Sequence, residues 1–364
     1  TGDFSESLWD FGDGMTSTQE SPAHTYTTAG NYTVQLTVSG SGGTDTETKS
    51  DWITVEVYEL SGAVRFWNDA SALAGVDMTL VGNQTSTTTS ATNGGYTFDG
   101  LNMGPYTLTP AKTDDVGGIT AYDASYVLRH AAGLLTLSGD QASAADVDQS
   151  GVISSLDASY ILRKAVDLID VPFPDADDVW VFNPTDRSYP NVSSDLTNQD
   201  FNGVLLGDVS GNWASTGTQI ASTGASPITV EVQGHPLSSN NLVTATVWLD
   251  ADQASVYGMD LRLLYDPKAA TLLSVSKGEL ANAMQLVTNV ETDGEIQAAI
   301  AGTESITGEG TILLLAFRLQ DASTSTILDP IWGQANEGEV TIELRSDLIG
   351  DGYKVYLPLV TQNP

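Results

Sequence analysis

Hydrophobic and polar positions alternate over short runs through most of the chain, and Gly, Asn, Asp and Ser interrupt these runs about every 8–12 residues. The clearest runs are rich in β-branched residues: Tyr32–Val38, Trp52–Val57, Leu242–Leu249 and Thr311–Leu319. Such alternation with regular turn signals is typical of antiparallel β-sandwiches. Only one segment, within residues 112–171, has a helical pattern. The sequence therefore predicts a mainly β protein with one small helical module.

Charge narrows the possible partners. The chain has 364 residues and a formal net charge of −34, with 47 Asp and Glu against 13 Lys and Arg. So few basic residues cannot form the patch that nucleic acid or anionic membrane requires, so we expect neither nucleic-acid binding nor membrane insertion. Divalent cations are favoured instead. The chain has no Cys, which excludes disulfides and thiolate sites, and the composition suits an extracellular or cell-surface location.

The helical segment contains an internal repeat. Residues 123–131 (DASYVLRHA) match residues 157–165 (DASYILRKA). Before the second copy, a loop runs from Asp146 to Asp157 with oxygen-bearing residues at the spacing of an EF-hand and Gly151 at its sixth position. The predicted Ca²⁺ ligands of this loop two are Asp146, Asp148, Ser150, the Val152 carbonyl, Ser154 through water, and Asp157. The alternative is a solvated acidic loop that only caps a helix.

Two further segments are weaker candidates for Ca²⁺. Loop one, before the first copy, has Lys112 and Val116 at ligand positions but keeps four candidate ligands: Asp114, Asp115, Thr120 and Asp123. Asp123 could instead simply cap its helix. Asp208, Ser210 and Asn212 offer oxygens at every second residue and could form a half-site, or a turn that packs aromatic residues against the helices.

The N-terminal block closely resembles a PKD domain. It carries Trp9-Asp10-Phe11-Gly12-Asp13-Gly14, followed by His24-Thr25-Tyr26 and Gly30-Asn31-Tyr32-Thr33-Val34. The resemblance implies an Ig-like β-sandwich over residues 1–57. Asp10 and Asp13 are expected to accept hydrogen bonds from turn amides rather than to bind metal. Only eight residues precede Trp9, so we expect either that the sequence is trimmed here or that this sandwich lacks its first strand.

Three more modules follow by resemblance. Residues 58–111 resemble transthyretin-like and collagen-adhesin B-type repeats, and no isopeptide bond is expected because Arg65 and Pro110 stand at the bond-forming positions. Residues 112–171 resemble a type I dockerin pair. After a bridge and linker at 172–225, residues 226–364 resemble a cohesin domain. The complete expectation is tandem Ig-like or jelly-roll-type β-sandwiches with one small α-helical, calcium-binding, dockerin-like module.

The dockerin resemblance implies a set of positions that contact a cohesin: Ala124, Ser125, Arg129, Ala158, Ser159 and Arg163. Tyr126, Leu128, Tyr160 and Leu162 are expected to pack inside the helix pair. The strand-like tail at 353–360 is expected to close the cohesin-like sheet or to insert into a neighbouring molecule.

No catalytic motif is present, and the three histidines lie in different modules, so we expect no enzyme. The first hypothesis is a calcium-stabilised surface protein that assembles head-to-tail with copies of itself, because complementary modules share one chain. The rival is that these modules pack within one chain. The second hypothesis is a scaffold or adhesin that binds other cohesin or dockerin proteins, secreted glycoside hydrolases or polysaccharide. Exposed Trp67, Trp180 or Trp332 would favour it.

Overall fold

The computed structural model describes residues 5–213, 228–235, 241–320, 325–338, 340 and 342–350. The chain divides into two compact units. Unit 1 comprises Thr1–Val64, Ala74–Pro110 and Pro184–Phe201, and unit 2 comprises Arg65–Leu73, Ala111–Asn183 and Asn202–Pro364. The fold class is the predicted one, since strands dominate and, among the described residues, α-helices occur in only one segment.

The N-terminal part of unit 1 is one antiparallel sheet in the order β2-β1-β3-β4. Its strands are β1 (Glu6–Asp10), β2 (Thr16–Ser17), β3 (Gly30–Gly40) and β4 (Gly43–Val55). Asp10 Oδ1 accepts a hydrogen bond from Gly12 N at 2.9 Å, and Asp13 Oδ1 accepts one from Met15 N at 3.0 Å. The prediction that these acids satisfy turn amides is confirmed.

The next strands are β5 (Tyr58–Phe66), β6 (Asp77–Gly82), β7 (Ser86–Thr89), β8 (Gly95–Leu101), β9 (Gly104–Ala111), β10 (Trp180–Asn183), β11 (Arg187–Val192) and β12 (Phe201–Leu205). In unit 1, one sheet has the order β11-β9-β6-β7, and β5 pairs with β8. Strand β11 lies in the segment predicted as a bridge, yet it pairs with β9 and extends the sheet of the preceding module. Part of the predicted linker, residues 214–225, lies outside the described residues.

The helices are α1 (Ala121–Ala131), α2 (Asp140–Ala145) and α3 (Ser155–Ala165). Helices α1 and α3 each begin with a capping box, made by Thr120 with Asp123 and by Ser154 with Asp157. They share one core cluster that includes the buried Leu128 and Leu162, with Tyr126 and Tyr160 packed against it. Internal packing of these four side chains is thus confirmed.

An aromatic cluster holds part of unit 2 together. The ring centroid of Trp213 lies 5.2 Å from that of Phe66 and 5.3 Å from that of Trp180. Trp180 is only 2% exposed, so it is a core residue and not part of an exposed aromatic row. Trp67 is partly buried beside Phe66, whereas Trp332 is 43% exposed.

The C-terminal part of unit 2 is a β-sandwich. Its strands are β13 (Ile228–Gly234), β14 (Leu242–Leu264), β15 (Ala270–Lys277), β16 (Gln285–Asn289), β17 (Glu295–Leu319), β18 (Ser325–Ala335), β19 (Ile342–Arg345) and β20 (Asp347–Gly350). The order of the main sheet is β15-β17-β14-β13-β19, with β19 parallel to β13. As the alternation predicted, Met259, Leu261 and Leu263 are buried in its core. The tail at 353–360 lies outside the described residues.

In the described parts of the chain, no helix combines the length and the apolar character that crossing a membrane requires.

Core packing gives a direct test of this sandwich. Phe317 on β17 is fully buried, whereas Leu314 on the same strand is 42% exposed. We expect Phe317→Ala to lower the free energy of unfolding by about 3–5 kcal/mol, since it removes a large side chain and leaves a cavity. Urea unfolding followed by tryptophan fluorescence measures the loss. The matched variant Leu314→Ala is expected to cost less than about 1 kcal/mol, and equal losses would contradict the assigned core.

Candidate cation loop and helix-binding face

The loop that precedes helix α3 gathers three carboxylates. Oxygens of Asp146, Asp148 and Asp157 all lie within 4.8 Å of one another. Asp146 accepts hydrogen bonds from Ser150 N at 3.0 Å and from Gly151 N at 2.8 Å, so the loop folds around this side chain. Gly151 has φ +83°, a conformation that glycine adopts without strain. Converging oxygens of this kind are the donor set that hard cations prefer.

The other residues predicted for loop two surround the same point. Ser150 Oγ lies 3.4 Å from Asp146 Oδ1 and 3.4 Å from the Val152 carbonyl oxygen. Ser154 caps helix α3, accepting from Leu156 N at 3.1 Å and donating to Asp157 at 3.1 Å. Burial is the main reason why the pKa of Asp157 is raised, and the negative charge of Asp148 adds to it.

The structure does not assemble loop one as the sequence predicted it. The Lys112 ammonium binds Asp114 at 2.6 Å, and the Asp114 side chain is 79% exposed, whereas Asp123 is fully buried. Asp115 contributes its backbone carbonyl, which accepts a hydrogen bond from Trp213 Nε1 at 3.1 Å. Neither Asp114 nor Asp115 joins Asp123 in a three-acid group among the described residues. Asp114 is thus paired with the ammonium that stands at a predicted ligand position.

Asp123 is approached instead by the turn at 208–212. Ser210 N donates a hydrogen bond to Asp123 Oδ1 at 2.8 Å. Asp208 is fully buried and accepts from the backbone amides of Gly211 at 2.9 Å, Asn212 at 3.0 Å and Trp213 at 3.0 Å. Both interpretations of this turn thus have support. Asp208 lies near Asp123, as a cation half-site requires, and Trp213 packs in the aromatic cluster, as a packing turn requires.

Glu337 is a residue that the sequence analysis missed. It is 7% exposed, and its Oε1 accepts a hydrogen bond from Thr120 Oγ1 at 2.7 Å. Burial, together with the charge of Asp123, raises the pKa of Glu337 well above its ordinary value. Burial also raises the pKa of Asp208, again with a contribution from Asp123. Glu337 stands 217 residues after Thr120, and no motif marked it.

Helix α1 lies directly on strand β14. A Cβ atom added at Gly258 would be 2.4 Å from Tyr122 Cα, so only glycine fits there. Beside it, Ala121 N donates to the two Asp260 carboxylate oxygens at 3.3 and 3.2 Å. The Arg129 guanidinium lies over the Tyr257 ring, 4.6 Å from its centroid, as in a cation–π contact. These contacts join both the first turn and the last turn of helix α1 to strand β14.

Helix α3 and strand β17 complete this face. Asn289 Nδ2 donates to the Val166 carbonyl at 2.8 Å, just after the helix ends. Ala299 and Ala301 of β17 are fully buried in the same cluster as the side chains of α1 and α3. We name this surface, made by β14, β16 and β17, the helix-binding face.

The positions expected to contact a cohesin fall into two groups. Arg129 contacts Tyr257 of the sandwich that follows in the same chain. Ala124, Ser125 and Ala158 are fully buried, and Ser159 and Arg163 are partly buried. The helix pair therefore meets a β-sandwich within its own chain, which is the packing that the rival hypothesis described.

Asp260 is a buried acid on the helix-binding face, and it accepts hydrogen bonds from the backbone of helix α1. Burial is the main reason why its pKa rises to about 7, and the Gln334 amide, which donates at 3.0 Å, opposes this rise. Its carboxyl anchors the first amide of helix α1, where the helix dipole favours negative charge.

Two regions of the chain match known domain families. Residues 228–342 match the cohesin domain family. Residues 1–55 match the PKD domain family. The sandwich that carries the helix-binding face thus lies in the stretch that matches the cohesin domain family, and we call it the cohesin domain. Cohesin and PKD domains are non-catalytic module types that are typical of extracellular and surface proteins.

Curated relatives match only short stretches. Collagenase ColA of Bacillus cereus is 47% identical over 58 residues, which is 14% of this chain and 6% of the collagenase. The pre-pro-metalloprotease PrtV of Vibrio cholerae is 49% identical over 49 residues, which is 14% of this chain and 5% of that protein. The chain thus spans only about a twentieth of the length of these relatives.

Among solved structures, a non-cellulosomal cohesin from Archaeoglobus fulgidus aligns with a TM-score of 0.31 and 18% identity, over 34% of this chain and 90% of that one. A type I cohesin–dockerin complex from Clostridium thermocellum aligns with a TM-score of 0.31 and 17% identity, over 35% of this chain and 96% of that one.

Gly258 provides a test of the packing on the cohesin domain. We expect Gly258→Ala to destabilise unit 2 by at least about 1–3 kcal/mol, because the new Cβ overlaps helix backbone that no rotamer change can move away. Hydrogen–deuterium exchange is expected to speed up in helix α1 and in β17 near Ala299. Gly117→Ala is the control, since a Cβ there meets nothing within 4 Å. Unchanged exchange in the Gly258 variant would contradict the packing.

Proposed function

We propose that this chain is a non-enzymatic, calcium-stabilised structural protein of the cell exterior, whose dockerin-like helix pair closes onto its own cohesin domain. The observation that carries the proposal is the fit of helix α1 on strand β14. Gly258 leaves room for the helix backbone, and Asp260 accepts from the first helix amide. We call this arrangement the clasp.

A non-enzymatic role agrees with how the histidines are used. His24 binds Asp13 at 2.7 Å and stacks on Phe11. His130 Nδ1 accepts from Leu137 N at 3.1 Å, and His235 bonds Thr246 at 3.1 Å. Each ring therefore has a structural partner in the part of the chain that the structure describes.

Calcium is the cofactor that loop two would hold. Asp146, Asp148 and Asp157 supply carboxylates, Ser150 a hydroxyl and Val152 a carbonyl, with Ser154 reached through water. All are hard oxygen donors. A bound Ca²⁺ would neutralise the buried Asp157 and fix the loop at the start of helix α3. It would also offset part of the repulsion expected at a net charge of −34.

Loop two can be tested without reference to assembly. We expect Asp148→Asn to weaken Ca²⁺ binding at this loop at least tenfold and to remove most of the Ca²⁺-dependent rise in the melting temperature, because one charged ligand is lost. Calorimetric titration of chelator-treated chain and thermal unfolding measure both effects. Asp170→Asn, at an exposed position after the helix, is the matched control. Equal behaviour of the two variants would contradict the proposed loop.

Self-assembly follows if the clasp opens. The contacts within the clasp support the idea that the surface of the helix pair and the helix-binding face are complementary. The same contacts made between two chains would join copies head-to-tail, and a contact of that kind that does not close into a ring gives a fibre. We therefore propose that copies of this chain are each other's partners, through exchange of the helix pair.

Sedimentation of the pure chain in millimolar Ca²⁺, and then in excess chelator, tests assembly. Large particles that dissolve on chelation are the expected result for calcium-dependent exchange. Gly258→Ala is expected to lose them, because exchanged and internal contacts use the same surface. A 38.3 kDa monomer in both conditions would contradict self-assembly by this chain. The clasp would then serve a monomeric scaffold or adhesin module, for which the exposed Trp332 is the candidate contact with polysaccharide or a partner protein.

A further inference from the structure

Two acids of unit 2 reproduce the hydrogen bonding of loop two although they belong to distant segments. In loop two, Asp146 binds the amides of Ser150 and Gly151, four and five residues later. Asp208 likewise binds the amides of Asn212 and Trp213, four and five residues later. In both turns the residue three positions after the acid is in the left-handed region: Gln149 has φ 54° and Gly211 has φ 76°.

The acids at the starts of helices α3 and α1 also correspond closely. Asp157 and Asp123 each close a capping box, with Ser154 and Thr120 respectively. Asp157 Oδ1 accepts the amides of Val147 at 3.0 Å and Asp148 at 3.5 Å. Asp123 Oδ1 accepts a hydrogen bond from Ser210 N at 2.8 Å. Ser210 lies two residues after Asp208, just as Asp148 lies two residues after Asp146. Residues 208–212 and 118–123 thus make one loop from two pieces, with Ser210 and Asp123 separated by 87 residues.

The side chain of Asn212 lacks hydrogen-bond partners at the position where loop two has a predicted ligand. Both polar atoms of the Asn212 side chain are shut off from solvent, and neither has a hydrogen-bond partner. Asn212 stands at the fifth loop position, where loop two has Ser150 and where a side-chain oxygen is a cation ligand. Its Oδ1 lies 2.7 Å from where a Cβ on Gly118 would be, so this oxygen sits against the second piece of the loop.

Glu337 adds a third buried carboxylate from the cohesin domain, although the oxygens of Asp123, Asp208 and Glu337 do not all lie within 4.8 Å of one another as those of loop two do. It is held in the left-handed region, at φ 58° and ψ 35°, and its side chain accepts a hydrogen bond from Thr120 Oγ1 beside the Asp123 carboxyl. Among the described residues, no Lys or Arg forms an ion pair with Asp123, Asp208 or Glu337. Buried carboxylates without a counter-charge are costly, so protons or a cation must neutralise them.

We propose that Asp123, Asp208 and Glu337, with the Ser210 and Asn212 side chains, form a second divalent-cation site that fastens helix α1 to the cohesin domain. The oxygen donors suit a hard cation such as Ca²⁺. This proposal extends the calcium-stabilised clasp: loop two lies within one segment, whereas the second site needs three segments to be assembled.

Binding stoichiometry separates the two proposals. In calorimetric titrations of the chelator-treated full chain with CaCl₂, we expect two ions per chain. Asp146→Asn is expected to leave one of them, and Glu337→Gln, which keeps the side-chain volume, is expected to leave the other. Glu304→Gln, at an exposed position of the same domain, is the control and should bind two.

Two further variants keep the test decisive if Glu337→Gln folds poorly. Asn212→Asp is expected to tighten the second site about tenfold, because a charged ligand replaces a neutral one at the fifth position. Gly258→Ala, which strains the clasp, is expected to weaken the second site and to leave loop two unchanged.

One ion per chain that is lost in Asp146→Asn would overturn the second site and leave loop two standing. Two ions with unchanged affinity in both Glu337→Gln and Asn212→Asp would also overturn it. No binding at all would remove both cation sites.

Discussion

Helix α1 can lie on the cohesin domain only because strand β14 carries no side chain at Gly258. The Cβ of any other residue would come within 2.4 Å of the Tyr122 backbone. This close approach brings the first helix amide to Asp260 and the Thr120 hydroxyl to Glu337. The polar contacts between helix and sandwich therefore depend on a backbone contact, and the buried apolar cluster that includes Ala299 and Ala301 surrounds them.

The same approach concentrates negative charge. Asp123, Asp208, Asp260 and Glu337 are all buried in unit 2, in a chain whose net charge is already −34. Burial raises the pKa of each of them, so each is easier to protonate than in water. Asp260 is satisfied by backbone and amide donors, whereas Asp123 is close enough for its charge to act on Asp208 and Glu337 as well as on Asp260. A cation bound among them, as proposed, would relieve repulsion that hydrogen bonds alone leave in place.

Local patterns predicted local structure well. The repeated nine residues gave both helices and their capping acids, and the spacing of acids from Asp146 to Asp157 gave a loop whose oxygens converge. What the sequence could not provide was pairing between distant segments. Strand β11 joins β9 across the helical segment, and Ser210 meets Asp123 across 87 residues. EF-hand spacing is defined within one stretch of chain, so it cannot pair Asp123 with the turn at 208–212, and Glu337 belongs to no such pattern.

The number of chain segments that form a cation site determines whether ion binding depends on contact between the helices and the cohesin domain. Loop two can form its oxygen cage from a single segment, so it can bind whether or not the helices touch the cohesin domain. A loop made from 118–123, 208–212 and Glu337 exists only when helix, turn and sandwich are together. A ligand that binds only the assembled state stabilises it, by about 2.7 kcal/mol when its concentration is 100 times its Kd. The second site would therefore make closure of the clasp depend on the Ca²⁺ concentration outside the cell, while loop two alone would stabilise a helix terminus.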